Sequence, residues 1–119
     1  MSKYRFHHLG IPTEEKKDGE ELHEMLGFKF YATPFGANPY GVQWHRFPEN
    51  HGFPEIVTKV PHLAFQVDDL DQALEGKKIL FGPHEPIDGY RCAMIEDDGL
   101  PVEFVETRLS NEELEKLDS

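Results

Sequence analysis

A short sequence phrase occurs twice in this chain and predicts a duplicated fold. His8-Leu9-Gly10-Ile11 and His62-Leu63-Ala64-Phe65 each begin with a histidine that opens a strand-like stretch, and the two histidines are 54 residues apart. A repeat of this kind is typical of two copies of one structural module. Histidines at equivalent positions of two modules are also candidate paired metal ligands.

The two copies also end in similar ways. Residues 42–47 and 101–106 are stretches in which apolar and polar side chains alternate late in each module. Gln43 lies 35 residues after His8, and Glu103 lies 41 residues after His62. If the modules fold alike, these four side chains converge between the two halves of the protein.

Size and composition set limits on the fold and on the partners. A chain of 119 residues is expected to form one domain, residues 1–119, that folds without disulfides, and a single cysteine excludes an intramolecular disulfide. The net charge of −11, without a basic cluster, argues against nucleic acid and membranes as partners. Because no signal peptide or membrane-spanning run is evident, we expect a cytoplasmic protein.

The first module, about residues 4–48, is predicted to contain one helix. Its signals are Leu22, Met25 and Leu26 at helical spacing, with Asp18 as the N-cap and Gly27 as the stop. Strands are predicted at residues 4–11, 28–32 and 43–47, with a loop at 33–41 and a linker at about 48–59.

The second module, about residues 60–107, repeats this order. A capping box of Asp69 and Gln72 begins a short helix that ends at Gly76, and Asp97-Asp98-Gly99 predicts a hairpin turn. Strands are predicted at residues 61–67, 78–81, 91–95 and 102–106, and a further capping box predicts a C-terminal helix at about 110–117.

In this arrangement the chain resembles the vicinal oxygen chelate superfamily, which includes glyoxalase I, extradiol dioxygenases, methylmalonyl-CoA epimerase and the bleomycin resistance proteins. The resemblance covers residues 4–106. It depends on four motifs in order, which are His8-Leu9-Gly10-Ile11, Leu26-Gly27-Phe28, the stretch from His62 to Leu70, and Asp98-Gly99-Leu100-Pro101-Val102-Glu103. It implies an α+β fold in which two tandem βαβββ modules form a curled mixed sheet around a cleft.

The resemblance also implies one divalent metal ion in the cleft, bound by His8, His62, Glu103 and a fourth residue on the closing strand of the first module. The strand periodicity agrees independently, because His62 and Glu103 both face away from the apolar, helix-packing side of their strands. Nitrogen and oxygen donors of this kind suit Zn, Ni, Co, Fe or Mn.

The fourth position departs from the family pattern, which usually has glutamate there. Gln43 and His45 share one face of the strand, so either can be the fourth ligand. Gln43 is a weak, neutral ligand, whereas His45 is the better donor. A neutral fourth ligand leaves the ion more positive and favours an anionic substrate.

The resemblance implies a metal-dependent lyase or isomerase, of the glyoxalase-like class, that acts on a small oxygen-chelating metabolite through an enediolate. Since Gln43 cannot accept a proton, Glu103 is the candidate base and His45 its possible partner. A ring-cleaving dioxygenase and a non-catalytic protein that binds or sequesters a small molecule are the alternatives. Relatives are often dimers, which makes a homodimer possible.

Other polar residues are interpreted more simply. His7 is expected on the edge or helix-facing side of its strand and His23 on the polar face of the first helix, so both are predicted to be structural. Arg46 and Arg91 lie near the cleft strands, where either could anchor an anion. Cys92 is expected to be a buried small residue.

Overall fold

The computed structural model describes residues 4–108 of the chain. Its elements are β1 (Arg5–Pro12), β2 (Glu21–Met25), β3 (Phe28–Ala32), β4 (Val42–Arg46), α1 (Glu55–Lys59), β5 (His62–Gln66), α2 (Leu70–Leu74), β6 (Lys78–Ile87), β7 (Tyr90–Asp97) and β8 (Leu100–Thr107). The helix predicted at 110–117 lies outside the described residues. Within those residues, no helix has the length and apolar character needed to cross a membrane.

The eight strands form one curled mixed sheet in the order β2-β3-β4-β1-β5-β8-β7-β6. The two opening strands, β1 and β5, lie side by side and antiparallel at the middle of the sheet. Each runs parallel to the closing strand of its own module, β4 or β8. The two halves are therefore arranged alike, and the predicted α+β fold with a curled sheet around a cleft is confirmed.

The strand register is the same in the two halves around the opening histidine and the closing strand. In the first half Leu9 pairs with Val42, and Gly10 pairs with Gln43. In the second half Leu63 pairs with Val102, and Ala64 pairs with Glu103. Gln43 and Glu103 therefore occupy equivalent positions relative to the histidine that opens each module.

The predicted helix of the first module is wrong, because residues 21–25 form the edge strand β2. Met25 pairs with Phe28, so β2 and β3 form a hairpin whose two turn residues, Leu26 and Gly27, have φ of 53° and 79°. Two positive φ values are the signature of a type I′ turn. Leu22 is 58% exposed and Leu26 is 54% exposed, so these two apolar side chains lie mostly in solvent rather than in a core. Apolar residues in so short a segment do not distinguish a helix from a strand, and pairing with β3 decides the outcome.

The second module follows the prediction more closely. The side chain of Asp69 accepts a hydrogen bond from the backbone N–H of Gln72 at 3.1 Å, which caps α2 as the capping box predicted. The turn at Asp98 and Gly99, with φ of 50° and 83°, joins β7 to β8. A buried core packs α2 against one face of the sheet and contains Val67, Leu70, Leu74, Ala93, Ile95, Val102 and Phe104.

The helix α1, at the end of the predicted linker, closes the other side of the protein. Phe53 and Val57 are buried and form a second core cluster with Met94 of β7. Side chains alternate between the two faces of a strand, so Cys92 and Met94 point away from α2, while Ala93 and Ile95 pack beneath it. The sheet face opposite α2 is therefore the wall of the cleft.

Candidate metal centre

Three side chains from the central strands meet in the cleft, and we call them the three-donor group. The Nε2 atoms of His8 on β1 and His62 on β5 each lie 3.3 Å from Oε1 of Glu103 on β8, and 3.4 Å from one another. Two donors that bind one ion tetrahedrally at about 2.1 Å are separated by about 3.4 Å. The three atoms have the chemistry and spacing of ligands to one divalent ion, so the donor set fits the metal that the resemblance implies.

The backbone leaves room for this arrangement at one position. Gly10 on β1 pairs with His62 on β5, and a Cβ added at Gly10 would lie 2.1 Å from Cε1 of the His62 ring and 2.7 Å from its Nε2. Such distances are far shorter than a van der Waals contact. The glycine of the first repeated phrase therefore makes space for the imidazole of the second.

The electrostatics of the group favour an ionised carboxylate. Burial alone would raise the pKa of Glu103, but hydrogen bonds from His62 and His8 hold that pKa well below its usual range. His8 and His62 are only 4% and 3% exposed. Glu103 thus brings a fixed negative charge into a buried pair of imidazoles, where a cation would balance it.

Gln43 lies in the cleft wall at the position equivalent to Glu103. Its Nε2 donates a hydrogen bond to the backbone carbonyl of Thr33 at 3.0 Å, which identifies Nε2 as the bound donor of the amide. Because this hydrogen bond fixes the amide, Oε1 of Gln43 is the amide atom that could bind a metal.

His45 lies next to the three-donor group but not within it. Its ring centroid is 5.3 Å from that of His62. Among the described His, Cys, Asp and Glu side chains, the group whose ligand atoms all lie within 4.8 Å of one another consists of His8, His62 and Glu103. Burial, followed by the charges of His62 and His8, lowers the pKa of His45 well below its usual value, so its imidazole is neutral and keeps a free lone pair.

Two histidines that we predicted to be structural also line the cleft. His23 lies on β2 and stacks on Phe30 across the hairpin. His7 reaches the cleft because β1 bulges, since the pairing with β5 passes from Phe6 directly to His8. The adjacent histidines His7 and His8 are the sequence signal that could have indicated the bulge. In a regular strand they would lie on opposite faces, so a bulge is needed to bring both into the cleft.

The remaining cleft wall is largely aromatic and aliphatic, and the cleft has a volume of about 280 Å³. The rings that contribute to it include Phe30, Phe35, Phe47, Phe53, Phe81 and Tyr90. Within residues 4–108, no lysine or arginine lines the cleft. Arg46 is paired with Glu20, and Arg91 is paired with Asp71 and Glu106, and neither arginine lines the cleft.

Cys92 forms part of the same wall and is buried, as predicted. Burial, reinforced by the nearby charge of Glu103, raises the pKa of its thiol. A neutral thiol is a poor nucleophile and a poor metal ligand. Cys92 therefore fills space beside the three-donor group.

The fold has counterparts among solved structures. A hypothetical protein from Bacillus halodurans superposes with a TM-score of 0.55 at 18% identity, over 92% of this chain and 98% of the other. Methylmalonyl-CoA epimerase from Mycobacterium tuberculosis gives a TM-score of 0.48 at 17% identity, over 90% and 89%. An epimerase in complex with methylmalonyl-CoA and ammonium gives 0.47 at 18% identity, over 90% and 96%. No protein-family model matches the sequence, and no curated protein matches it significantly. At 18% identity, the superposition on the Bacillus halodurans protein supports the fold alone.

Proposed function

We propose that the protein is a metal-dependent lyase or isomerase that acts on a small metabolite with two adjacent oxygen atoms. The observation that carries this proposal is the triangle formed by His8, His62 and Glu103 in the cleft, with sides of 3.3, 3.3 and 3.4 Å. Gln43, at the position equivalent to Glu103, completes a candidate four-ligand set.

Each residue has a distinct role in this proposal. When bound, a divalent ion polarises a substrate carbonyl and makes the neighbouring C–H more acidic. Glu103 is the one carboxylate of the set and Gln43 is neutral, so one negative charge faces an ion of charge +2. With an ion bound, the site would keep a net positive charge, which would favour negative charge on the substrate.

The proton then needs an acceptor near the ion. His45 is neutral and adjacent to His62, so its lone pair can accept the proton and return it to the neighbouring carbon in an isomerisation. Glu103 holds Oε1 between the two histidines and acts first as a ligand. His45 is therefore the proposed base, with Glu103 as the supporting anion.

The cleft wall narrows the class of substrate. A volume of about 280 Å³ is near the lower end of the range for ligand pockets. Aromatic walls favour an apolar or aromatic body, and the lack of a cation among the described lining residues disfavours a phosphate or another polyanionic tail. We propose an uncharged or singly charged 2-hydroxy-carbonyl compound with an apolar substituent.

A ring-cleaving dioxygenase is the second candidate, and one observation favours it. The three-donor group alone is a set of two histidines and one carboxylate, which is the arrangement that non-haem iron(II) oxygenases use. This candidate requires that Oε1 of Gln43 does not bind the ion, although its Nε2 is bonded to Thr33 in either case.

The first test is metal content. Protein purified without chelator should contain or take up about one divalent ion per chain, as measured by elemental analysis. His62→Ala should abolish uptake, whereas His23→Ala, which alters a cleft histidine outside the three-donor group, should retain it. Wild-type protein that binds no metal would contradict the proposal.

The second test separates the two reactions. In D2O, protein loaded with Zn²⁺, Ni²⁺ or Co²⁺ should exchange the C–H protons next to the carbonyl of 2-hydroxyacetophenone, as followed by proton NMR. Dihydroxyacetone phosphate, which carries a charged tail, should react more slowly. Oxygen uptake with catechol by iron-loaded protein, without proton exchange, would instead identify the dioxygenase. Protein that binds metal but shows neither reaction would favour the alternative of a non-catalytic protein that sequesters a small molecule.

A further inference from the structure

We propose that His7 is a positioning residue that orients the imidazole of His8 and fixes the nitrogen that this ring presents to a metal ion. The inference deepens the proposed function and depends on it. It is carried by a direct contact between the two rings, in which Nδ1 of His7 lies 2.8 Å from Nδ1 of His8.

The backbone irregularity explains how two adjacent residues reach the same place. Successive side chains of a regular strand point to opposite faces of the sheet. In β1 the pairing partners of Phe6 and His8 are Phe65 and Ala64, so two steps along β1 match one step along β5. His7 is the extra residue of this bulge, and a bulge beside a site commonly serves to redirect a side chain. Both histidines line the cleft as a result.

The contact between the two Nδ1 atoms fixes where the protons are when a metal is bound. Nε2 of His8 is the atom that faces Glu103 and His62, so its lone pair must be free to bind an ion. A neutral His8 then carries its proton on Nδ1 and donates it to Nδ1 of His7. His7 accepts at Nδ1 and carries its own proton on Nε2.

The surroundings of His7 show that this contact is retained at some cost. His7 is 8% exposed, and its ring stacks on Phe35 with centroids 4.8 Å apart. Its Nε2 is buried and has no hydrogen-bond partner among the described residues. A buried polar atom without a partner is unfavourable. A phenylalanine would fill the same stack without that cost, so the feature that requires histidine is the Nδ1 acceptor.

Two substitutions separate the acceptor from the packing. His7→Phe keeps a ring against Phe35 but removes the acceptor. His7→Asn loses the ring but keeps an acceptor, because its amide oxygen lies the same number of bonds from the Cα as Nδ1 of histidine. We expect His7→Phe to weaken Co²⁺ binding about 10- to 100-fold and to change the Co²⁺ absorption spectrum. His7→Asn should restore affinity and spectrum towards those of wild type. Circular dichroism and urea unfolding check that both variants are folded.

Nitrogen-15 NMR of the zinc-loaded wild-type protein gives a second readout that does not depend on activity. We expect a proton on Nδ1 of His8 and on Nε2 of His7. An unprotonated Nδ1 on His8 would overturn the inference, as would a folded His7→Phe variant that binds Co²⁺ as tightly as wild type, or a folded His7→Asn variant as defective as His7→Phe. Wild-type protein that takes up neither Co²⁺ nor Zn²⁺ would overturn the proposed function, and this inference with it.

Discussion

The substitution Gly10→Ala should disable the candidate metal centre without altering any ligand. The new Cβ would lie 2.1 Å from Cε1 of His62. An ordinary carbon–carbon contact is about 3.5 to 4.0 Å, so the ring must retreat by about 1.5 Å or more. Metal–ligand distances tolerate only about 0.2 Å. The displaced Nε2 can therefore no longer share an ion with His8 and Glu103.

Changes to residues that orient a metal ligand typically weaken metal binding roughly 10- to 100-fold. We expect Gly10→Ala to weaken Zn²⁺ binding by at least as much, because it displaces the ligand itself. Overpacking should also lower the free energy of unfolding by about 1–3 kcal/mol. Competition with a coloured chelator measures the zinc dissociation constant, and urea unfolding of the metal-free protein measures stability at a temperature where the variant stays folded.

A double-mutant cycle provides the control. If Gly10→Ala acts only through the ring of His62, its effect on the free energy of unfolding of the metal-free protein should disappear in a His62→Ala background. Zinc affinity of the Gly10→Ala variant equal to that of wild type would refute the reasoning, because it would show that Nε2 of His62 is not needed where the structure places it.

Four further outcomes test individual contacts. Gln43→Glu should tighten zinc binding roughly tenfold by adding a carboxylate at the position equivalent to Glu103, and weaker binding in the chelator competition would place residue 43 away from the ion. His45→Ala should slow proton exchange on 2-hydroxyacetophenone about 10²- to 10⁴-fold while zinc affinity stays within about threefold of wild type, whereas loss of affinity would make His45 a ligand. Asp69→Ala should lower the free energy of unfolding, measured with urea, by about 1 kcal/mol, since it removes the N-cap of α2. Asp69→Asn keeps the side-chain acceptor and is the control. The metal-free protein should lose stability as pH falls from 6.5 towards 4. Burial and the charge of His8 lower the pKa of His7 to about 4 in the folded state, whereas in the unfolded chain His7 takes up its proton near pH 6.5. The shift in the pKa of His7 accounts for up to about 3 kcal/mol of the free energy of unfolding. Urea midpoints that do not change with pH across this window would contradict the prediction.

The sequence by itself determined the duplication and, through it, the sheet. Two strands that open with the same phrase, and one alternating stretch that closes each module, were enough to predict two tandem modules, although β2 was predicted as a helix. Periodicity placed His62 opposite Leu63, Phe65 and Val67. It placed Glu103 opposite Val102 and Phe104, because strand alternation is a local property of the chain. The assignment of His8, Gln43, His62 and Glu103 as metal ligands, the cytoplasmic location and the homodimer stay predictions.

Tertiary structure decided the features that depend on pairing between distant segments. Residues 21–25 form a strand rather than a helix because β3 offers a partner edge, which no periodicity within five residues can reveal. His7 enters the cleft because β1 slips by one residue against β5, and a slip of one residue reverses the face of a side chain. The amide of Gln43 is oriented by Thr33, ten residues away in the sequence. Local patterns specify which face of a strand is buried, but register and bulges arise from contacts between strands, and these decide which polar groups finally meet.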